Sequence, residues 1–181
     1  MNRSEGGYNF LRGLKLKENN ILKIVEDSLA KLSPRDNVEV ILRSSLEDET
    51  VWIDHEQMVS ALLDLEQNAM EAMLADGLLT IILAGDERQV VIELTDTGKG
   101  IAEENMPLLF TPFFTTKPAG DGTGLGLASA YAVVKAHRGN ISITSNTDPK
   151  KGPTGTTVRI TIPRRQVLQD KQARLIVHEE E

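Results

Sequence analysis

Residues 120–129 read GDGTGLGLAS. The stretch opens in glycine, aspartate and threonine, then turns apolar and reads as the start of a helix. The first backbone N–H groups of a helix are free and carry partial positive charge, so such a loop suits a phosphate. It equally suits a plain entry into a helix, and the stretch alone does not decide. It is not a Walker loop, because no Gly-Lys-Ser/Thr follows. It is not a dinucleotide fingerprint either, because no G-x-G-x-x-G can be laid on it and the segment before it is not a strand.

Working outward, LGLASAYAVVKAH (125–137) is a helix with Gly139 at its end, as expected of a C-cap. The preceding TPFFTTKPAGDGTG (111–124) is too irregular for regular structure and too long for a simple turn, which favours a lid. Before it, IAEENMPLLF (101–110) reads as a short helix. LLTIILAG and QVVIELTDTG flank the polar DER and read as a hairpin. From the N-cap type residue Asp54, the apolar positions Met58, Leu62, Leu65, Ala69 and Met73 mark a long amphipathic helix. Earlier, Ile21, Val25, Leu29 and Leu32 fit a helix from Glu18 that Ser33-Pro34 ends. NVEVILRSSL and TVWI read as strands. NISITS and TTVRITIP, joined by the turn-rich NTDPKKGPTG, read as two more. The order predicts an α+β fold: a two-layer α/β sandwich with a mixed, mostly antiparallel sheet covered on one face by helices.

The polar side chains of interest sit on these elements. Asp64 and Asn68 are four apart on one helix face, with Glu71 three further on. An Asn oxygen there suits Mg2+, although a polar helix stripe is commonly just solvated. DTGKG places Asp96, Gly98 and Gly100 directly after a strand. They suit a β-turn, or a floor on which a carboxylate accepts from an exocyclic amine and glycines let a flat ring approach.

Taken in order, Asn68 in NAMEA, Asp96 in DTGKGI, Phe110 to Lys117 in FTPFFTTK and the run GTGLGLA resemble the N, G1, F and G2 boxes of histidine kinase catalytic domains. These belong to the superfamily of DNA gyrase B, Hsp90 and MutL. The resemblance runs from about Leu14 to Pro163 and looks most like nitrogen-regulator and hybrid sensor kinases. It implies the Bergerat-type ATP-binding fold, with ATP and Mg2+ as cofactors. Asp96 would bind the adenine amino group, while Gly98, Gly100 and Ile101 would shape the base site. Asn68 would hold Mg2+ and act in catalysis. Thr115, Thr116 and Lys117 would belong to the lid. Gly122, Thr123, Gly124, Leu125, Gly126 and Leu127 would form its end, where helix N–H groups meet phosphate. Phe113 and Phe114 would dock the lid or touch a partner domain, and Lys117 and Lys99 are candidate cations for phosphate.

Two positions depart from the family pattern. Asp64 stands where kinases carry Asn and the hydrolysing branch carries Glu. It is a candidate general base for hydrolysis, or a further carboxylate beyond the metal's own ligands, and its shorter side chain favours the latter. Glu66 replaces an apolar residue. Both acids are expected near the triphosphate, weakening nucleotide binding without Mg2+.

Domain expectations follow: residues 1–13 a linker or tag remnant, 14–164 the ATP-binding catalytic domain, 165–181 a charged tail. The tail reads as a solvated linker, while its ARLIVHEEE resembles the first strand and acidic pocket of a receiver domain. None of the three histidines suits a phosphoacceptor. His55 opens a helix, His137 suits a polar or cationic helix end, and His178 lies in the tail. The resemblance therefore implies a kinase domain that transfers the γ-phosphate to a histidine on a separate dimerisation domain. A response regulator or receiver domain would act downstream, and this piece would be monomeric. The alternatives are an ATPase module using Asp64, or a nucleotide-free interaction module.

Composition agrees. In 181 residues, 40% are hydrophobic and 4% aromatic, so the core is aliphatic. A net charge of −7 without a basic run argues against nucleic acid. No cysteine is present, which excludes disulfides and thiolate metal sites. No apolar run approaches the ~20 residues of a membrane span, and the opening residues do not read as a signal peptide. The expected setting is cytoplasmic without direct membrane contact, whether or not the parent protein is membrane-attached.

Overall fold

The computed structural model describes residues 13–118 and 122–165. Residues 1–12 of the expected linker or tag remnant (1–13), the tail from residue 166 with the segment expected to resemble a receiver domain, and residues 119–121 of the expected lid lie outside them. In chain order the elements are β1 (Lys17–Asn20), α1 (Ile21–Leu29), β2 (Val38–Ser44), β3 (Thr50–Ile53), α2 (His55–Ala72), β4 (Gly77–Gly85), β5 (Gln89–Asp96), a 3-10 turn (Glu103–Leu108), α3 (Gly126–Ala136), β6 (Asn140–Asn146) and β7 (Gly155–Pro163).

Period-two alternation builds the main sheet, whose order is β2-β4-β5-β7-β6. β2 runs parallel to β4, and the other pairs are antiparallel. Leu79, Ile81 and Leu83 of β4, Val90, Ile92 and Leu94 of β5, and Ile160 and Ile162 of β7 are buried. They share one face, as strand alternation requires, and α2 and α3 pack there. The other face carries Glu93 paired with Arg159 at 2.8 Å, and Thr95 bonded to Thr157 at 3.0 Å. This is the expected two-layer sandwich: one face needs cover and the other tolerates water.

α2 is the central helix. Its N-cap Asp54 accepts from Gln57 N–H. Its predicted stripe of Met58, Leu62, Leu65, Ala69 and Met73 is buried. Both α1 and α3 pack against it. α1 starts later than the sequence pattern predicts. Lys17–Asn20 is a strand, paired antiparallel with β3 in a separate two-stranded sheet, and Asn20 caps the helix by accepting from Lys23 N–H. The helical spacing of Ile21, Val25 and Leu29 does not specify the polar residues before it, so the cap decides.

His137 ends α3 but is no exposed cation. It is fully buried. Its Nε2 accepts from Asp54 N–H at 3.0 Å, so the proton sits on Nδ1, which donates to Val133 O at 2.8 Å. Burial lowers its pKa, and the neutral ring ties the end of α3 to the start of α2.

Candidate functional site

The four motifs meet along one helix. The turn after β5 closes on the C-terminal end of α2, where Lys99 N–H donates to Ala72 O at 3.1 Å. Lys117, from the segment before residue 119, pairs with Glu71. The first residue of α3, Gly126, lies against Asp64. Asn68 stands between these contacts. From 64 to 72, α2 rises about 12 Å, so the turn after β5 and the start of α3 meet α2 about two turns apart.

Asp96 ends β5 on the helix-covered face, because it continues the parity of Val90, Ile92 and Leu94. It is 7% exposed. Its Oδ1 accepts from Gly98 N–H at 2.8 Å and Thr156 N–H at 3.2 Å. Its Oδ2 has no partner among the described residues, which leaves one fixed acceptor open. Burial raises its pKa, and the two N–H bonds oppose that rise. Ile101 N–H is held by Ser145 Oγ at 2.8 Å, and Ser145 also bonds Thr156.

The resemblance gives Gly98 and Gly100 the task of making room for a ring. The missing Cβ at each also makes room for the chain itself. At Gly98 a Cβ would sit 2.8 Å from the carbonyl carbon, Cβ and oxygen of Ala72. At Gly100, with φ of +74°, it would meet Asn146 and Thr147. Gly98→Ala is therefore expected to destabilise the fold by about 1–3 kcal/mol, since backbone at Ala72 must move. Denaturant melts check this, and a change within ~0.5 kcal/mol would contradict it.

At the other end, Gly124 (φ +65°) packs on the Phe113 backbone, and its carbonyl accepts from Phe113 N–H at 2.9 Å. Thr123 Oγ1 accepts from Leu125 N–H at 3.3 Å. Leu125, the N-cap residue of α3, makes no side-chain cap bond, so among the described residues the first N–H groups of α3 have no side-chain acceptor. Leu127 packs on the core edge. Gly122 lies over the stem of Lys117, where a Cβ would be 2.9 Å from Cδ. Thr115 Oγ1 accepts from Lys117 N–H at 3.1 Å. Thr116 is exposed, as is Phe113 at 74%. Phe110 stacks on Tyr131 with centroids 4.6 Å apart, which anchors the start of this segment to α3.

Asp64 is half-buried and, like Asn68, makes no hydrogen bond among the described residues. Burial alone raises its pKa. Glu66, expected beside it near the triphosphate, lies elsewhere. It is fully buried against α1, where its Oε1 lies 2.7 Å from Ser28 Oγ.

The donors present fit Mg2+. No group of three or more acidic, His or Cys side chains gathers among the described residues, so there is no all-protein cage. Magnesium does not require one. It takes one or two protein oxygens and completes its shell with phosphate and water, and Asn68 and Asp64 offer hard oxygens on one helix face.

Sequence reading missed Thr156, whose N–H fixes Asp96. Only the β5–β7 register, which sets Asp96 opposite Thr156, reveals it. The Glu71–Lys117 pair was missed because a helix and a loop 46 residues apart meet only in the tertiary structure.

A helix-covered sheet that ends in a buried carboxylate with one oxygen open among the described residues, beside the Asn-bearing α2 and the start of α3, suits a nucleotide. The chain belongs to the histidine kinase-, DNA gyrase B- and HSP90-like ATPase family, whose model matches residues 53–166. It is 32% identical over 149 residues to sporulation kinase A of Bacillus subtilis, covering 81% of this chain and 23% of that protein. It is 32% identical over 162 residues to the sensor histidine kinase ZraS of Escherichia coli K12, covering 88% of this chain and 33% of that one. Among solved structures, the mycobacterial sensor histidine kinase MprB superposes with a TM-score of 0.72 at 27% identity, covering 84% of this chain and 99% of that one. The chain thus spans a third or less of these two curated relatives and corresponds to their ATP-binding catalytic part. These matches do not favour the hydrolytic or nucleotide-free alternatives. Among the described residues, no helix is long and apolar enough to cross a membrane.

Proposed function

We propose that this domain binds Mg2+–ATP and delivers the γ-phosphate to a histidine on a separate dimerisation domain, for onward transfer to a response regulator or receiver domain. The observation that supports it best is the alignment of the motifs along α2. Asp96 lies at one end, Asn68 is central, and the start of α3 is at the other end, beside Asp64. Asp96 Oδ2 accepts from the adenine amine. Asn68 holds the metal, which supplies charge neutralisation along the phosphates. The N–H groups of Gly126 and Leu127 face the terminal phosphates, and Lys117 leaves Glu71 for them. Phosphoryl transfer needs mainly positioning and charge stabilisation, and these groups supply both. None of the domain's own described histidines is placed to accept: His137 is buried, and His55 is bonded to Asp27 at 2.9 Å.

The test supplies ATP labelled at the γ-phosphate, Mg2+ and a relative's dimerisation domain as a separate polypeptide. Acid-labile label on that domain, absent when its histidine is replaced, is the expected result. Steady phosphate release with no labelled protein would refute the proposal.

A further inference from the structure

Asp64 is the acidic side chain of α2 that the fold leaves unexplained. Glu66 has Ser28, Glu71 has Lys117, and Glu56 is exposed to solvent. Asp64 is half-buried and has neither hydrogen bond nor ion pair among the described residues. A half-buried carboxylate without a partner is costly, and burial indeed pushes its pKa up with no cation opposing. Its position is specific. A Cβ built on Gly126 would stand 3.5 Å from Asp64 Cγ and 3.7 Å from Oδ1. The carboxylate therefore sits where α3 begins, the end whose partial positive charge attracts anions. Asn68 lies one turn away on the same face of α2.

We propose that Asp64 is a specificity residue that makes the site select the metal complex of the nucleotide over the free nucleotide. The inference rests on the nucleotide-binding reading above. Without a divalent cation, the fixed negative charge of Asp64 opposes the polyphosphate at the start of α3. With a cation held beside Asn68, the same charge becomes attractive. Neutral amide at position 64 would bind the two forms more evenly. Selection here is achieved by repelling the wrong ligand.

Calorimetric titration of the full chain and of Asp64→Asn tests this with three probes: ATP in EDTA, ATP with Mg2+, and adenosine. Asp64→Asn is expected to tighten metal-free ATP about tenfold, or ~1.4 kcal/mol. Adenosine, which carries no phosphate, stays unchanged, and the Mg2+ enhancement shrinks by a similar factor. Unchanged metal-free ATP binding overturns the proposal. So does an equal shift in ATP and adenosine, which would report a general structural effect. If the folded wild-type chain binds neither adenosine nor ATP, the nucleotide-binding reading fails and this inference fails with it. Intact adenosine binding with an unmoved ATP response refutes the role of Asp64 alone.

Discussion

Asp96→Asn is expected to weaken ATP binding at least 100-fold while leaving the fold intact. The asymmetry of the carboxylate explains why. Oδ1 is committed to Gly98 and Thr156 N–H groups, and an Asn oxygen can take over both bonds. The amide nitrogen then falls where Oδ2 was. It offers a donor to the adenine amine, itself a donor. One hydrogen bond to a charged acceptor is lost and a donor–donor contact replaces it, for about 3 kcal/mol. Folding is not expected to suffer. Burial raises the Asp96 pKa, so removing its charge relieves desolvation at neutral pH. Calorimetry with Mg2+–ATP, alongside a thermal melt, separates the two effects. Retained affinity in a folded variant would remove Asp96 from the base site. Lost affinity with a collapsed melt would show that the carboxylate serves the fold.

Glu66→Gln is expected to raise stability at pH 8 and to flatten the dependence of stability on pH. The buried carboxyl lies between α1 and α2. Ser28 Oγ stands 2.8 Å from Val25 O and 2.7 Å from Glu66 Oε1, and its single proton can serve only one of them. A protonated carboxyl resolves the conflict by donating to Oγ and leaving the hydroxyl for Val25 O. Oε2 is buried with no partner among the described residues, which an ionised group tolerates badly. Burial accordingly raises the pKa from 4.5 to about 7. Because the folded value lies above the unfolded one, the stabilisation is fully present below about pH 4.5. It is lost as pH rises through about 7. Across that window the loss is about 3 kcal/mol, or some ~10 °C in Tm for a domain of this size. Glutamine keeps a polar contact with Ser28 and cannot titrate. The difference in Tm between variant and wild type should therefore grow from pH 5 to pH 8. A constant difference would mean that Glu66 does not titrate in this range.

Glu66 also shows how much of the site could be read from the sequence. Asp64 and Glu66 look alike in LLDLEQNAMEA, and both were expected at the triphosphate. Two residues on a helix are turned by about 200°, however, and Glu66 follows Leu62 at i+4 on the buried stripe. The pattern already placed it in the core. Its charge suggested otherwise, because ionised Glu is rarely buried unpaired. Thr156 is different in kind. Nothing near it in sequence points to Asp96, sixty residues away, until the strand register sets them opposite.

By itself the sequence determined most strands and helices and their order, because period-two and 3.6-residue patterns are local consequences of which face must leave water; the polar strand β1, which carries no such pattern, was read into the start of a helix. It also determined the family, because Asn68, Asp96, the FTPFFTTK segment and GTGLGLA are residue types in a fixed order. Tertiary structure alone decided what each residue faces. It put Ala72 against Gly98, Asn146 against Gly100, Glu71 on Lys117 and Asp64 beside Gly126. Such contacts depend on how a helix rotates and slides on its sheet, and that is fixed by close packing of the whole core. No local pattern carries that information, which is why the motifs were legible while the contacts of Gly98, Gly100, Lys117 and Asp64 were not.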